Sequence, residues 1–384
     1  MRILLVTPNS PFDTQYGAQQ RSALFHRALS RHGDVDVLLV REGPATRVVQ
    51  GPQAGIAAAL EWCPRAGGLN RFLPVAGSAN AVSEALGCAL ADYDLIASRY
   101  LYPIAKLPLP AGVPTLVDLD DFAPLLWSGA WQRRALLDLA RQCAGHVLSR
   151  LRLRDFPHVL FASPRDRARF GTAGDEVLSN IPMTTVAEPR FEGESNTLVF
   201  VGALWYRPNA DAMDWFCGAV WPLVRQAMPQ ARLLIVGAAA PDVRERWNAL
   251  PGVEAPGFVD DLAAAYAQAA FAISPIRLGG GSNIKVPEAL AHGRTCVLTP
   301  FSFDGFRGQL VADEHVRVAA TAQDFARTCV QLLDDTGLRS RLARAGHAHA
   351  LKCFSRERFA AVVDAAVMRA VNGVTPPLPD AGRA

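Results

Sequence analysis

The sequence predicts an α/β protein built from two doubly wound halves, on three observations. Short apolar runs ending near glycine or proline alternate with stretches of helical period. The alternation stops in 175–196, DEVLSNIPMTTVAEPRFEGESN, where turn residues dominate and no period is clear. It then restarts at 197, and a chain of 384 residues is long enough for two domains.

The first strand is RILLVTP, a continuous apolar run ended by Pro8, as expected of a strand buried on both faces of a parallel sheet. RSALFHRALSRHG follows, with Leu24, Phe25, Ala28 and Leu29 at helical spacing and Gly33 as its stop. Further strands are expected at 35–40, 94–98, 115–119 and 158–163. Residues 43–75, rich in Gly, Pro and Ala, carry no clear signal. After the 175–196 stretch, read as a linker, strands are expected at TLVFVG (197–202), ARLLIVG, PGVEAPGF, FAISPI and TCVLTP. Between them, NADAMDWFCGAVWPLVRQAM reads as one helix, and DDLAAAYAQA as a helix capped by Asp260 or Asp261. Helices over 321–334, 337–351 and 356–371 close the pattern. The expected domains are 1–180 and 197–355, then a final helix over 356–372 and a disordered tail over 373–384. Two such halves imply a cleft between them, and open α/β sheets bind ligands at the carboxyl ends of their strands.

Composition bounds the function. Hydrophobic residues make up 50% and charged residues 20%, as in ordinary soluble proteins. A net charge of +3 speaks against a nucleic-acid partner. The seven cysteines are an odd number and include no C-x-x-C, which reads as reduced thiols in a cytoplasmic protein. No signal peptide or membrane-spanning run is visible.

The chain holds 36 arginines but three lysines, Lys106, Lys285 and Lys352. One of them lies in RLGGGSNIKVPEALAHG (277–293), between an expected strand and a helix over 283–292. Glycines let backbone approach a phosphate, and a strand–glycine–helix turn presents amides to an anion. Ser282 reads as the helix N-cap. Lys285 then falls in the first turn, where a cation opposes the helix dipole unless an anion docks beside it. Glu288 lies three residues on, suited to accept bonds from two ribose hydroxyls. Together they suggest a nucleoside diphosphate. The plainer alternative is an exposed Lys–Glu pair on an ordinary turn.

FVGALWYRPNADAMDWF, ARLLIVG and PGVEAPGFVDDLAAAYAQAAFAISPIRLGGGSNIKVPEALAHG together resemble the donor-binding half of a family 4 (group 1) glycosyltransferase of the GT-B fold. The likeness covers 197–300, and more weakly TPNSPFDTQYGAQQRSALFHRAL in the first half. It implies two Rossmann-like domains, an N-terminal one for the acceptor and a C-terminal one for the nucleotide sugar, with the last helix returning to the first. It implies retaining transfer without a bound metal, no cofactor beyond the nucleoside diphosphate sugar, and a glycan or polyprenyl-linked acceptor.

By position, Glu288 matches the second Glu of the family's Glu-x7-Glu motif, which holds the ribose; the first would fall on Gly280. Where the family carries an Arg and a Lys after the first C-domain strand, GALWYRPNA has Ala203 and Asn209, so Arg207 and Arg277 are candidates for the missing charge. Gly202, Gly281, Ser282 and Asn283 complete the expected donor loops, and Lys285 keeps the phosphate role. Phe258 and Val259 resemble the base-contacting turn, and Gly17 the loop that closes over the donor phosphate. In LVDLDDFAP, Asp120 stands where the family often has a catalytic His.

That acidic cluster admits three readings: Asp120 in contact with sugar or acceptor, Asp118 and Asp120 as a metal pair of the other glycosyltransferase fold, or turn-capping carboxylates. Carboxylates so close are expected to repel, raising one pKa. His292 reads as a dipole partner at a helix C-terminus. Trp127, Trp131, Trp205 and Tyr206 are aromatics near loops, the last two placed to stack on sugar or base or to pack in the core. The segment 131–156 alternates Arg with Leu and reads either as a surface for anionic lipid or as a solvated helix face.

Overall fold

The computed structural model describes residues 1–13, 17–64, 69–120, 136–172, 174–191 and 195–373. The chain divides into two compact units, Met1–Ser179 with Arg356–Ala384, and Asn180–Ser355.

Unit 1 holds an eight-stranded sheet. Its strands are β1 (Arg2–Thr7), β2 (Asp34–Glu42), β3 (Arg47–Gln53), β4 (Ile56–Trp62), β5 (Leu95–Arg99), β6 (Thr115–Leu119), β7 (Val159–Phe161) and β8 (Glu176–Val177). The order is β3-β4-β2-β1-β5-β6-β7-β8, and every pairing is parallel except β3 with β4. That antiparallel pair lies in the stretch where no strand was expected. Gly55, at φ +78°, turns the chain, and Ala58, Ala59 and Leu60 bury both faces of β4. Alanines and glycines give little strand signal, so the pair forms through burial more than propensity.

Helix α1 (Gly17–Leu29) buries Leu24, Phe25, Ala28 and Leu29. It is followed in unit 1 by α2 (Ser78–Leu86), α3 (Leu101–Ala105), α4 (Leu136–Leu153) and α5 (Pro164–Phe170).

Unit 2 holds β9 (Thr197–Val201), β10 (Arg232–Val236), β11 (Val253–Gly257), β12 (Phe271–Ser274), β13 (Cys296–Leu298) and β14 (Arg317–Val318). All pair in parallel in the order β11-β10-β9-β12-β13-β14. The direction of winding reverses between β9 and β12, the point at which open α/β sheets as a class bind ligands. The helices are α6 (Arg207–Trp215), α7 (Trp221–Ala227), α8 (Pro241–Asn248), α9 (Leu262–Ala267), α10 (Lys285–Ala291), α11 (Pro300–Asp304), α12 (Ala322–Asp334) and α13 (Thr336–Cys353). Phe200, Phe216, Trp221, Phe271, Phe325 and Leu342 share one core.

Two expectations change here. The helix over 209–228 is not one regular α-helix: a π turn over Phe216–Val220 separates α6 from α7. Pro222 lacks an N–H and its ring would meet the carbonyl four residues back, and the wider turn absorbs both. The 175–196 stretch is not a free linker. Residues 180–191 are bonded to unit 2: Asn180 to Ser282, Val186 N–H to the Ala291 carbonyl at 3.2 Å, and the Phe191 carbonyl to Ser340 at 3.0 Å. A Cβ on Gly293 would lie 2.4 Å from the Pro189 ring, so the segment packs directly on the turn after α10.

Helix α14 (Arg356–Asn372) returns to unit 1 and packs along α1. Asp364 accepts from His32 Nε2 at 2.8 Å and pairs with Arg31 at 3.1 Å, while Arg369 bonds the Gly174 carbonyl and Glu176. The tail expected to be disordered lies outside the described residues from 374 on.

Candidate active site

The site of unit 2 is built from two loops, one after β9 and one after β12. Gly202 follows β9, and a Cβ there would lie 2.7 Å from Nδ2 of Asn209, so glycine is what lets this side chain fold back under the loop. Asn209 is buried in the first turns of α6, and its Nδ2 donates to the Ala203 carbonyl at 2.8 Å. Its Oδ1 accepts from Lys285 Nζ at 3.1 Å. Asn209 therefore orients the lysine and supplies no cation of its own.

The glycine loop is anchored on its far side. Thr299 donates to the Ile276 carbonyl, and Asn283 Nδ2 donates to Ser302 Oγ at 3.1 Å. Gly279 and Gly281 take φ of +120° and +66°, conformations open to glycine and strained for other residues. Gly280 lies between them, half-buried. A Cβ on Gly279 would meet Pro208 at 3.3 Å, which sets this loop directly against the β9 loop.

Ser282 is not the N-cap. Helix α10 starts at Lys285, and the Ser282 hydroxyl instead accepts from Asn180 N–H at 3.2 Å. The helix is seven residues long, so the pull on an anion rests on Lys285 and the turn more than on a helix dipole.

The reading of Lys285 and Glu288 as an exposed pair is overturned. They are 7% and 9% exposed, and no salt bridge joins them among the described residues. Burial pulls the Lys285 ammonium down to about 8 and pushes the Glu288 carboxyl up to about 7. Tyr266 donates to Glu288 Oε2 at 3.2 Å. This tyrosine was not singled out from sequence, although it is the sole tyrosine in the alanine-rich DDLAAAYAQA, where Asp261 caps α9. His292 follows α10 and stacks on the Tyr266 ring at 5.0 Å.

The other expected donor residues are exposed or half-buried. Arg207 is exposed at the start of α6. Arg277 is engaged by Asp211 at 3.0 Å and lies over the Trp215 ring, so its charge is already met. Trp205 and Phe258 are exposed large aromatics, and Val259 is half-buried.

In unit 1, Gly17 is the first residue of α1, and a Cβ there would meet open space. Asp118 and Asp120 sit at the carboxyl end of β6. The expected repulsion between them is answered by two buried guanidinium groups. Asp118, fully buried, accepts from Arg21 Nη2 at 2.6 Å and Nε at 2.9 Å and from Arg99 Nη1 at 2.5 Å. Asp120 accepts from Arg99 Nη2 at 3.3 Å and keeps 15% of its side chain exposed. With both Asp118 oxygens on arginines, a metal pair at 118 and 120 does not fit. Tyr100, at φ +66° and with its hydroxyl 3.5 Å from Asp120, holds strain beside this cluster. Asp121, Trp127 and Trp131 lie outside the described residues. In the described part of α4, Val147 and Leu151 are exposed along with Arg150. No described helix is long and apolar enough to cross a membrane.

Residues 195–335 match the family model of glycosyl transferases group 1. No curated protein matches the chain. Among solved structures, the chain is similar to sucrose-phosphate synthase from Thermosynechococcus elongatus, at 16% identity over 94% of this chain and 97% of that one, TM-score 0.64. It is similar to HepE from Anabaena in complex with UDP, at 15% identity over 95% and 98%, TM-score 0.61. TarM matches at 11% identity and TM-score 0.55 over 71% of this chain, which spans 54% of TarM's length. The fold is GT-B, two Rossmann-like domains.

Proposed function

We propose that this protein is a retaining, metal-independent glycosyltransferase. It moves a sugar from a nucleoside diphosphate sugar to a glycan or polyprenyl-linked acceptor in cell-surface polysaccharide synthesis. The observation that carries the reading is Lys285: a buried ammonium, oriented by Asn209, beside a glycine turn at the β9/β12 switch point. A buried cation with no ion pair among the described residues is costly, and a diphosphate offsets that cost. The match of 195–335 to group 1 glycosyltransferases supports the same reading.

In this mechanism the bond between the anomeric carbon and the diphosphate oxygen breaks as the sugar gains oxocarbenium character. Lys285, Arg207 and the amides of Gly280, Gly281 and Ser282 meet the leaving charge. Glu288 accepts from the ribose, and the backbone at Phe258 and Val259 faces the base. The acceptor hydroxyl attacks from the face the diphosphate leaves, and its proton passes to the departing phosphate oxygen. Asp120, bonded to Arg99, orients the acceptor or the reacting sugar. Contact of the Val147, Leu151 and Arg150 face of α4 with anionic lipid would bring a lipid-linked acceptor to a cytoplasmic enzyme.

The test is a thermal-shift panel of UDP, GDP, ADP and their sugars, with and without EDTA. Stabilisation by one nucleoside diphosphate, unchanged by EDTA, together with slow donor hydrolysis, is expected. Gly280 and Ala203, where the family carries Glu and Arg, favour a second reading, a catalytically silent GT-B relative acting as a nucleotide-sugar-binding or scaffold protein. Tight binding without turnover selects it. A response to none of the nucleotides removes the enzyme and leaves a scaffold that binds none of them.

A further inference from the structure

We propose that Tyr266 is a positioning residue for nucleotide recognition: it fixes one edge of the Glu288 carboxylate so that the other edge meets the ribose hydroxyls. This rests on the nucleotide reading above and goes beyond it, because nothing in the glycine-loop motif points to residue 266.

The geometry is that of a held donor. Tyr266 is 1% exposed at the end of α9, and its hydroxyl has one proton, given to Glu288 Oε2 at 3.2 Å. The tyrosine is itself fixed from two sides. His292 stacks on its ring with planes 14° apart. Arg294 Nε donates to its carbonyl at 2.8 Å, and Nη2 donates to the next carbonyl, Ala267, at 2.9 Å. Arg294 also bonds the Gly293 and Arg190 carbonyls, so the clamp reaches the segment that enters unit 2.

The chemistry follows from burial. A buried carboxylate with no ion pair favours its neutral form, and a neutral carboxyl is a poorer acceptor for two ribose hydroxyls. Donation from Tyr266 favours the charged form. Burial raises the phenol well above its ordinary value, so it remains a donor at neutral pH. The groups that titrate around the carboxylate are Tyr266 from α9, Lys285 from its own helix, Cys296 from β13 through its effect on both, and His292 stacked on the phenol ring. A carboxylate accepts at up to about four positions. Tyr266 takes one, and its fixed direction sets the plane in which the others point.

The experiment compares UDP and GDP with their 2′,3′-dideoxy analogues by calorimetry, on wild-type protein, Tyr266→Phe, Glu288→Gln and the double variant. Tyr266→Phe should weaken the ribonucleotide about tenfold, the scale of one hydrogen bond to a charged group. It should leave the dideoxy analogue unchanged and move the acid-side loss of affinity to higher pH. Added to Glu288→Gln it should have no further effect. Equal losses for ribo and dideoxy ligands, or an unmoved pH profile, overturn the inference and leave the nucleotide reading standing. Binding of neither nucleotide by wild-type protein removes both. Should Tyr266→Phe not fold, fluorotyrosine placed at 266 strengthens donation without deleting it. It should shift the acid-side loss to lower pH, and no shift overturns the inference.

Discussion

In unit 1 Asp118 is fully buried and each of its oxygens meets a guanidinium, whereas in unit 2 Lys285 and Glu288 are buried almost as deeply and share no salt bridge. Both clusters stand at the carboxyl ends of parallel strands: β5 and β6 in unit 1, one strand from the β1/β5 reversal of winding, and β9 and β12 in unit 2, at the reversal itself. The first closes its charges on one another and leaves only Asp120 partly open. The second leaves a cation and a carboxylate for something else to complete. Removing a member of the closed cluster should therefore harm the fold, and removing a member of the open one should harm binding.

The largest effect is expected at Asp118. Asp118→Ala strands Arg21 and Arg99 in the core and should cost about 3–5 kcal/mol in chemical denaturation, enough to lose soluble protein in places. A loss below about 1 kcal/mol would mean that the two arginines find other partners, and the contrast between the units would fail.

Lys285→Met is the converse. It keeps the volume, removes an ill-solvated charge, and should leave the melting temperature unchanged or higher. It should weaken a nucleoside diphosphate by roughly 10- to 100-fold while hardly affecting the nucleoside. A melting temperature several degrees lower with binding intact would make Lys285 a structural residue.

The pH dependence sharpens the same point. Lys285 must be protonated to hold a diphosphate, so affinity falls as pH rises above about 8. Glu288 must be ionised to accept from ribose, so affinity also falls as pH drops below about 7. Binding should peak between the two. Stability should run the other way. The folded Glu288 holds its proton more tightly than the unfolded one at 4.5, so its contribution declines as pH rises from there to about 7. The folded Lys285 holds its proton less tightly than the unfolded one at 10.5, so stability recovers from about 8 upward. Calorimetry across pH 5–10 checks both curves, and a flat binding profile would detach these groups from the ligand.

The smallest structural effect is expected at Asp120. Asp120→Asn should cost about 1 kcal/mol or less, because Asp118 holds both arginines, yet should reduce sugar transfer strongly. Unchanged turnover would assign Asp120 to the closed cluster alone.

Much of this contrast lay beyond the sequence. The strand runs and glycine turns were legible because parallel strands buried on both faces read as unbroken apolar runs. Lys285 and Glu288 stood out through type and spacing. Their burial did not, since it comes from β12, β13 and α13 closing around α10. Arg21 and Arg99 were invisible as partners of Asp118, the first being 97 positions away in a chain crowded with arginine. Ser282 looked like a cap because type and position suited one, but the bond it makes is to Asn180, 102 positions earlier. Tyr266 carried the helix pattern equally well as plain core. The β3–β4 pair was hidden by alanine and glycine, which fit a buried strand without advertising one.

The return of α14 to unit 1 has a consequence for how the protein is made. Residues 180–355 form a contiguous unit, but residues 1–179 lack the helix that lies along α1 until residues 356–372 have been made. Unit 1 is therefore begun before unit 2 and completed after it. Until then the flank of α1 around Arg21, whose guanidinium lies over the Phe359 ring, stays open, and a chain stopped short of 356 would leave it so for good.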